Sequence, residues 1–156
     1  RALDDRLTTG LNPALADALG LTPDAEPLRR DGVPIGLVCR THAPLAEVAA
    51  RIAAAFGGLT DRAGVLPEAG AVALANAMTA DLIEDAATRD VGLYLTGQIR
   101  KPGLAAVAAH AIGVLAVGQD RAEAWGLRHL GALVRQRWPE VEVVEIDLPP
   151  RQPASM

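Results

Sequence analysis

Gln119 and Glu123 stand four residues apart, directly after the glycine-containing loop Val117-Gly118-Gln119-Asp120. In a helix that spacing stacks both side chains on one face of the first turn. A carboxylate at Glu123 then either complements the positive end of the helix or serves as a ligand. Glu123 also shares a helical row with Leu127, Leu130 and Val134, which predicts that it points along the packed side of the helix. A second glycine-containing loop, Leu95-Thr96-Gly97-Gln98, ends an earlier apolar run. Its Thr96-Gly97 step lacks the spacing of a phosphate loop or a dinucleotide fingerprint, so neither is proposed. Asp4-Asp5 reads as a solvated acidic pair.

The other reactive side chains point to structural roles. His42 precedes Pro44 in a strand-to-helix loop and should be exposed; His110 ends a helix, where a cation complements the dipole. His129 lies one position off the Leu127–Leu130–Val134 stripe, on a flank, and no two histidines share metal-ligand spacing. Cys39 is the only cysteine and sits in an apolar run, which makes it a core residue and rules out a disulfide framework.

These residues need elements to position them. Asn12-Pro13 reads as an N-cap followed by proline at the first helical position, opening a short helix to about Leu19. Gly20 to Gly32 reads as a connector, and Val33–Arg40 as a strand. From Pro44 the apolar residues Leu45, Val48, Ala49, Ile52 and Phe56 keep helical spacing until Gly57-Gly58. Short strands are expected near Ala63–Leu66 and Ala71–Ala75, then a helix over Ala80–Ala87. A strand (Gly92–Leu95), a helix (Leu104–Ala111) and a strand (Gly113–Val117) follow, then a long helix capped by Asp120 and running to about Trp138. Glu140–Asp147 reads as a closing strand. The alternation predicts an α/β fold with a mixed, largely parallel sheet and packed helices, joined by right-handed crossovers. If Gly92–Leu95 and Gly113–Val117 are parallel neighbours, their two loops share one rim, where sites in such sheets gather.

Composition narrows the function classes. The 156 residues are 50% hydrophobic with a net charge of −4, the balance of a globular domain rather than a disordered chain. Lys101 is the only lysine, and no basic cluster interleaves with the four aromatics Phe56, Tyr94, Trp125 and Trp138, so no nucleic-acid surface is expected. No apolar run approaches transmembrane length and no signal peptide is visible, which points to a cytoplasmic protein with no membrane partner. The chain opens on Arg1 without Met and reads as a portion of something longer, so any active site would be completed by residues outside it.

Several segments, taken in order, carry a likeness. Leu3-Asp4 is followed by Gly10-Leu11-Asn12 and a helix containing Leu15-Ala16; Leu82-Ile83-Glu84-Asp85-Ala86 precedes Tyr94-Leu95-Thr96-Gly97-Gln98-Ile99; and Gly118-Gln119-Asp120-Arg121-Ala122-Glu123 stands in frame with a Gly-His-x-x-x-Glu helix start. This order resembles the Nif-three-like dinuclear metal-centre family, whose members are often described as type-two GTP cyclohydrolase I homologues. The resemblance covers nearly the whole chain, to about Asp147. It implies two interlinked α/β lobes with a pair of divalent metal ions between them, assembled as a homo-oligomer into a hexameric ring. Residues 1–32 would then be a remnant of the first lobe, 33–147 the second lobe and 148–156 a mobile tail.

The resemblance also implies the ligands. By position Asp4 and Glu123 match the family's carboxylates, with Asp5 the fallback for Asp4. Gln119 stands at the position of the second-lobe histidine, and an amide is a poorer transition-metal ligand than imidazole. A His-His segment would lie upstream of Arg1. The frequent histidine after Thr-Gly is replaced within Arg100-Lys101-Pro102-Gly103, and a glycine-rich turn has become Asn76-Ala77-Met78-Thr79. Every change removes a ligand, a site-facing histidine or loop flexibility, so one metal or none is expected where relatives hold two. The implied function is a metal-binding protein with a degenerate site, a hydrolase of a small phosphorylated or nucleotide-like molecule; the alternative is a non-catalytic oligomeric scaffold or binding protein.

Overall fold

The computed structural model of the protein describes residues 10–146. Its elements in chain order are α1 (Leu11–Ala18), β1 (Thr22–Pro23), β2 (Leu28–Arg30), β3 (Val33–Arg40), α2 (Leu45–Phe56), β4 (Asp61–Ala63), β5 (Ala71–Leu74), α3 (Ala80–Ala87), β6 (Val91–Thr96), α4 (Lys101–His110), β7 (Gly113–Ala116) and α5 (Gln119–Arg137). The strands form one mixed sheet in the order β1-β3-β5-β6-β7-β4, with β2 pairing to β3 off this path. Its centre is parallel: β5 pairs with β6 and β6 with β7. Antiparallel pairs flank that centre, β3 on β5 and β4 on β7. The predicted parallel neighbours are therefore in place, joined by α4.

Side-chain alternation along the strands splits the core in two. Leu93 and Leu95 of β6, with Leu37 and Cys39 of β3, face α1, α2 and the Ala122 and Trp125 side of α5. Tyr94, with Val38 and Val114, faces α3 and α4 through Met78, Leu82, Ile83 and Val107. The central strands are buried on both faces, as a helix-covered parallel sheet requires. Helix α2 buries Leu45, Val48, Ile52 and Phe56 at the expected spacing and ends at Gly57 in the left-handed region, φ 69°. Burial pushes the Cys39 thiol up to about 12, with the Asp24 charge adding to the shift, so it stays protonated as the core residue its sequence context predicts.

Five local expectations change. Gly118, not Asp120, caps α5, and Asp120 lies inside its first turn. Gly10, not Asn12, caps α1, and Asn12 is buried inside its first turn. The connector after Gly20 contributes β1 and β2 to the sheet. The strand expected near Ala63–Leu66 lies at Asp61–Ala63. The segment from Glu140 forms no strand among the described residues. Its alternating pattern finds no sheet edge; instead Arg135 on α5 donates to the Val143 carbonyl at 3.2 Å and to Glu145 at 3.0 Å. The residues from Asp147 onward, including the expected tail at 148–156, lie outside the described residues.

Tyr94 ties the sheet to the loop before α3: its buried hydroxyl donates to the Ala77 carbonyl at 2.6 Å. Replacing Tyr94 with Phe keeps the ring packing and removes that bond, and should lower the unfolding free energy by about 1 kcal/mol in urea titration. An unchanged midpoint would show that the bond contributes nothing net.

Candidate functional site

The carboxyl ends of β6 and β7 build one rim. The ladder between them continues past the strands, with Val117 N–H donating to the Thr96 carbonyl at 3.1 Å and Gly118 N–H to the Gly97 carbonyl at 3.0 Å. Both glycine-containing loops are therefore stitched side by side. Gly118 caps α5 with φ 93°, a left-handed conformation that turns the chain abruptly from strand to helix. Gly97 allows a close approach: a Cβ there would lie 2.6 Å from Gln119 Oε1.

On this rim Gln119 Nε2 donates to Glu123 Oε1 at 2.8 Å. The i, i+4 pairing expected from the sequence is thus present, but the orientation differs. Glu123 is exposed and Leu127 is 67% exposed, so the first half of that row faces outward, while Leu130 and Val134 farther along it are half-buried. The packed side of α5 is carried by Ala122, Trp125 and Gly126: Leu11 of α1 seats on Gly126, where a Cβ would meet Leu11 Cδ1 at 2.6 Å, and Trp125 lies against Phe56 at 6.3 Å. An apolar residue on a helix identifies the buried face only if an opposing element covers it, and nothing among the described residues covers Leu127. His129, expected on a flank, is half-buried and stacks on Trp125 at 5.9 Å. His42 and His110 are exposed, as expected.

Asp4 and Asp5, the other sequence-derived carboxylates, lie outside the described residues. Among the described residues, no group of three or more His, Cys, Asp or Glu side chains could hold a metal ion. The pair on α5 offers one carboxylate and one amide, and the amide N–H already occupies a carboxylate oxygen. Such oxygen donors suit a hard cation better than zinc, and two of them do not complete a site. The described residues alone therefore do not fit a resident metal, and no reaction step is assigned to one.

Sequence reasoning gave Thr96 no role of its own, yet its Oγ1 is buried with no hydrogen-bond partner among the described residues. Strand alternation aims it to the same side as Tyr94, toward α3 and α4, beneath the loop that leads to Gly97. Burial of a hydroxyl next to a glycine loop is invisible in sequence, because it depends on the helix packed above it.

The fold is thus that of a three-layer α/β protein with a mixed sheet and a polar rim at the ends of its central parallel strands. The profile of the Duf34/NIF3 family (NGG1p interacting factor 3) matches residues 2–151, and the chain belongs to that family. Solved structures share the fold. Protein ybgI, described as of unknown function, is 24% identical with a TM-score of 0.76, over 94% of this chain and 59% of that one. HcgD from Methanocaldococcus jannaschii, in its reduced form, is 20% identical with a TM-score of 0.68, over 86% and 54%. TTHA1606 from Thermus thermophilus is 22% identical with a TM-score of 0.63, over 88% and 54%. The chain spans a little over half the length of these three structures. No curated protein matches it at a significant level.

A buried hydroxyl without a partner costs on the order of 1–3 kcal/mol. Thr96→Val keeps the shape and removes that cost, and should raise the unfolding free energy by roughly 1 kcal/mol in urea titration. A loss of stability would show that the hydroxyl is paired in the folded protein.

Proposed function

We propose that this NIF3-family protein is a divalent-cation-binding protein with a degenerate site, in which Glu123 and Asp4 are the carboxylate ligands and Gln119 replaces an imidazole. The observation that supports it is the Gln119–Glu123 pair at the sheet rim, an amide beside a carboxylate of which one oxygen accepts from that amide. Asp4 lies only six residues before Gly10, and Leu11 is seated on α5 at Gly126. Six residues of extended chain reach about 20 Å, enough to return to the first turn of the same helix. Hydrolysis of a small phosphorylated or nucleotide-like molecule is the activity the family resemblance implies for the complete protein.

A second reading, a non-catalytic oligomeric scaffold, draws on two observations. An amide donor satisfies Glu123 without a cation. Leu127, Val144 and Ile146 are 67%, 70% and 80% exposed, apolar surface of the kind a partner subunit covers. A homo-oligomer, as in the ring implied by the family, suits either reading. Light scattering of the full-length protein at micromolar concentration should give a mass of several subunits; a monodisperse monomer would remove the ring.

Metal content separates the two functions. Full-length protein purified without chelator should carry substoichiometric divalent metal. In calorimetry with Mn²⁺, Gln119→His should tighten binding by about 10-fold or more, and Glu123→Ala should abolish it. No binding by the wild type and no gain in Gln119→His would leave the scaffold as the function.

A further inference from the structure

A cavity of about 290 Å³ opens between the C-terminal end of α2 and the face of α5 that turns toward it, lined by Ala55, Phe56, Gly57, Arg121, Ala124 and Arg128. It uses neither Gln119 nor Glu123. Its chemistry is one-sided: two guanidinium groups, an aromatic ring and two methyl groups, with no carboxylate among the lining residues. Arg121 and Arg128 are seven residues apart, two helical turns or about 10 Å along one face, with the small Ala124 between them. With two cations and no carboxylate in its wall, the cavity has a positive field that favours an anion over a cation.

The two arginines are prepared differently. Arg121 Nη1 donates to the carbonyls of Gly57 and Gly58, at 3.4 and 3.2 Å, just past the last turn of α2. That anchoring uses one nitrogen and holds the guanidinium group beside the end of α2. Arg128 makes no hydrogen bond or ion pair among the described residues, so its whole fork is available. The Phe56 ring, itself braced by Trp125 at 6.3 Å, forms the apolar wall.

We propose that this cavity binds a small phosphate ester, its oxyanion gripped by Arg128 and Arg121 and its organic portion resting on Phe56, Ala55 and Ala124. A phosphate monoester carries up to two negative charges and three free oxygens in tetrahedral array, so forks can approach from two sides. A carboxylate is planar, singly charged and saturated by one fork. The volume lies at the small end of ligand pockets, a size that suits a compact ester. Binding here is independent of any cation held at Glu123.

Phenyl phosphate, titrated into the full-length protein in EDTA, tests this directly. Calorimetry should show one saturable site, with benzoate at least about tenfold weaker. Arg128→Ala, at an exposed position, should weaken phenyl phosphate about tenfold or more, and Arg128→Lys should recover only part of that loss. In a Trp138→Phe background, Trp125 fluorescence should change with the same midpoint, since Trp125 touches the Phe56 wall. Absence of saturable binding, equal affinity for benzoate, or an unaltered Arg128→Ala would each overturn the proposal.

Discussion

The parallel pairing of β6 and β7 is the constraint on which the rest of the rim depends. Because the ladder runs on through Thr96–Val117 and Gly97–Gly118, the two loops leave the sheet at the same height and in contact. A single offset in that register would move Leu93 and Leu95 out of one core and Tyr94 out of the other. Burial on both faces makes such an offset prohibitive. The rim geometry is thus set by apolar residues that take no part in its chemistry.

Two close approaches convert that ladder into a polar surface. Gly97 has no side chain to hold Gln119 away, and Gly118 accepts the dihedral that starts α5 immediately after β7. The helix then begins with its amide side chain against the neighbouring loop and its carboxylate one turn farther along. On its packed side, Gly126 admits Leu11 and Trp125 meets Phe56, which sets the rotation of α5 about its axis. That rotation turns Gln119 and Glu123 toward the rim and Arg121 and Arg128 toward the end of α2. One helix therefore carries two differently charged faces: a carboxylate-bearing rim and a cavity flanked by cations.

The side chain at position 119 has a physical role of its own in this setting. An imidazole at position 119 would present a lone pair to a cation, whereas the amide presents N–H groups to Glu123. The amide therefore gives the Glu123 carboxylate a donor from its own helix, one turn away. The Thr96 hydroxyl, buried on the opposite face of the same strand end, is the complementary case, a polar atom left without such a partner.

Local pattern alone was enough for the α/β alternation, the ends of α2, the parallel β6–β7 pair and the i, i+4 relation of Gln119 and Glu123. Each of these follows from short-range periodicity, a glycine stop or a chain-crossover rule. The order of motifs was also sufficient to point to the NIF3 family. What failed were inferences that needed to know the neighbour. The row Glu123–Leu127 looked buried because leucine usually is, yet the face of α5 that packs is the one Leu11 and Phe56 can reach. The alternating residues after Glu140 looked like a strand, but every strand needs an edge, and Arg135 binds that segment to α5 instead. Asn12 looked like a cap, and Gly10 took the position while the asparagine was buried. The pairing of Arg121 with the end of α2 was likewise hidden, because it joins residues more than sixty positions apart. Periodicity is a property of one element, whereas burial, orientation and cavity walls belong to pairs of elements, and only the tertiary structure brings those pairs together.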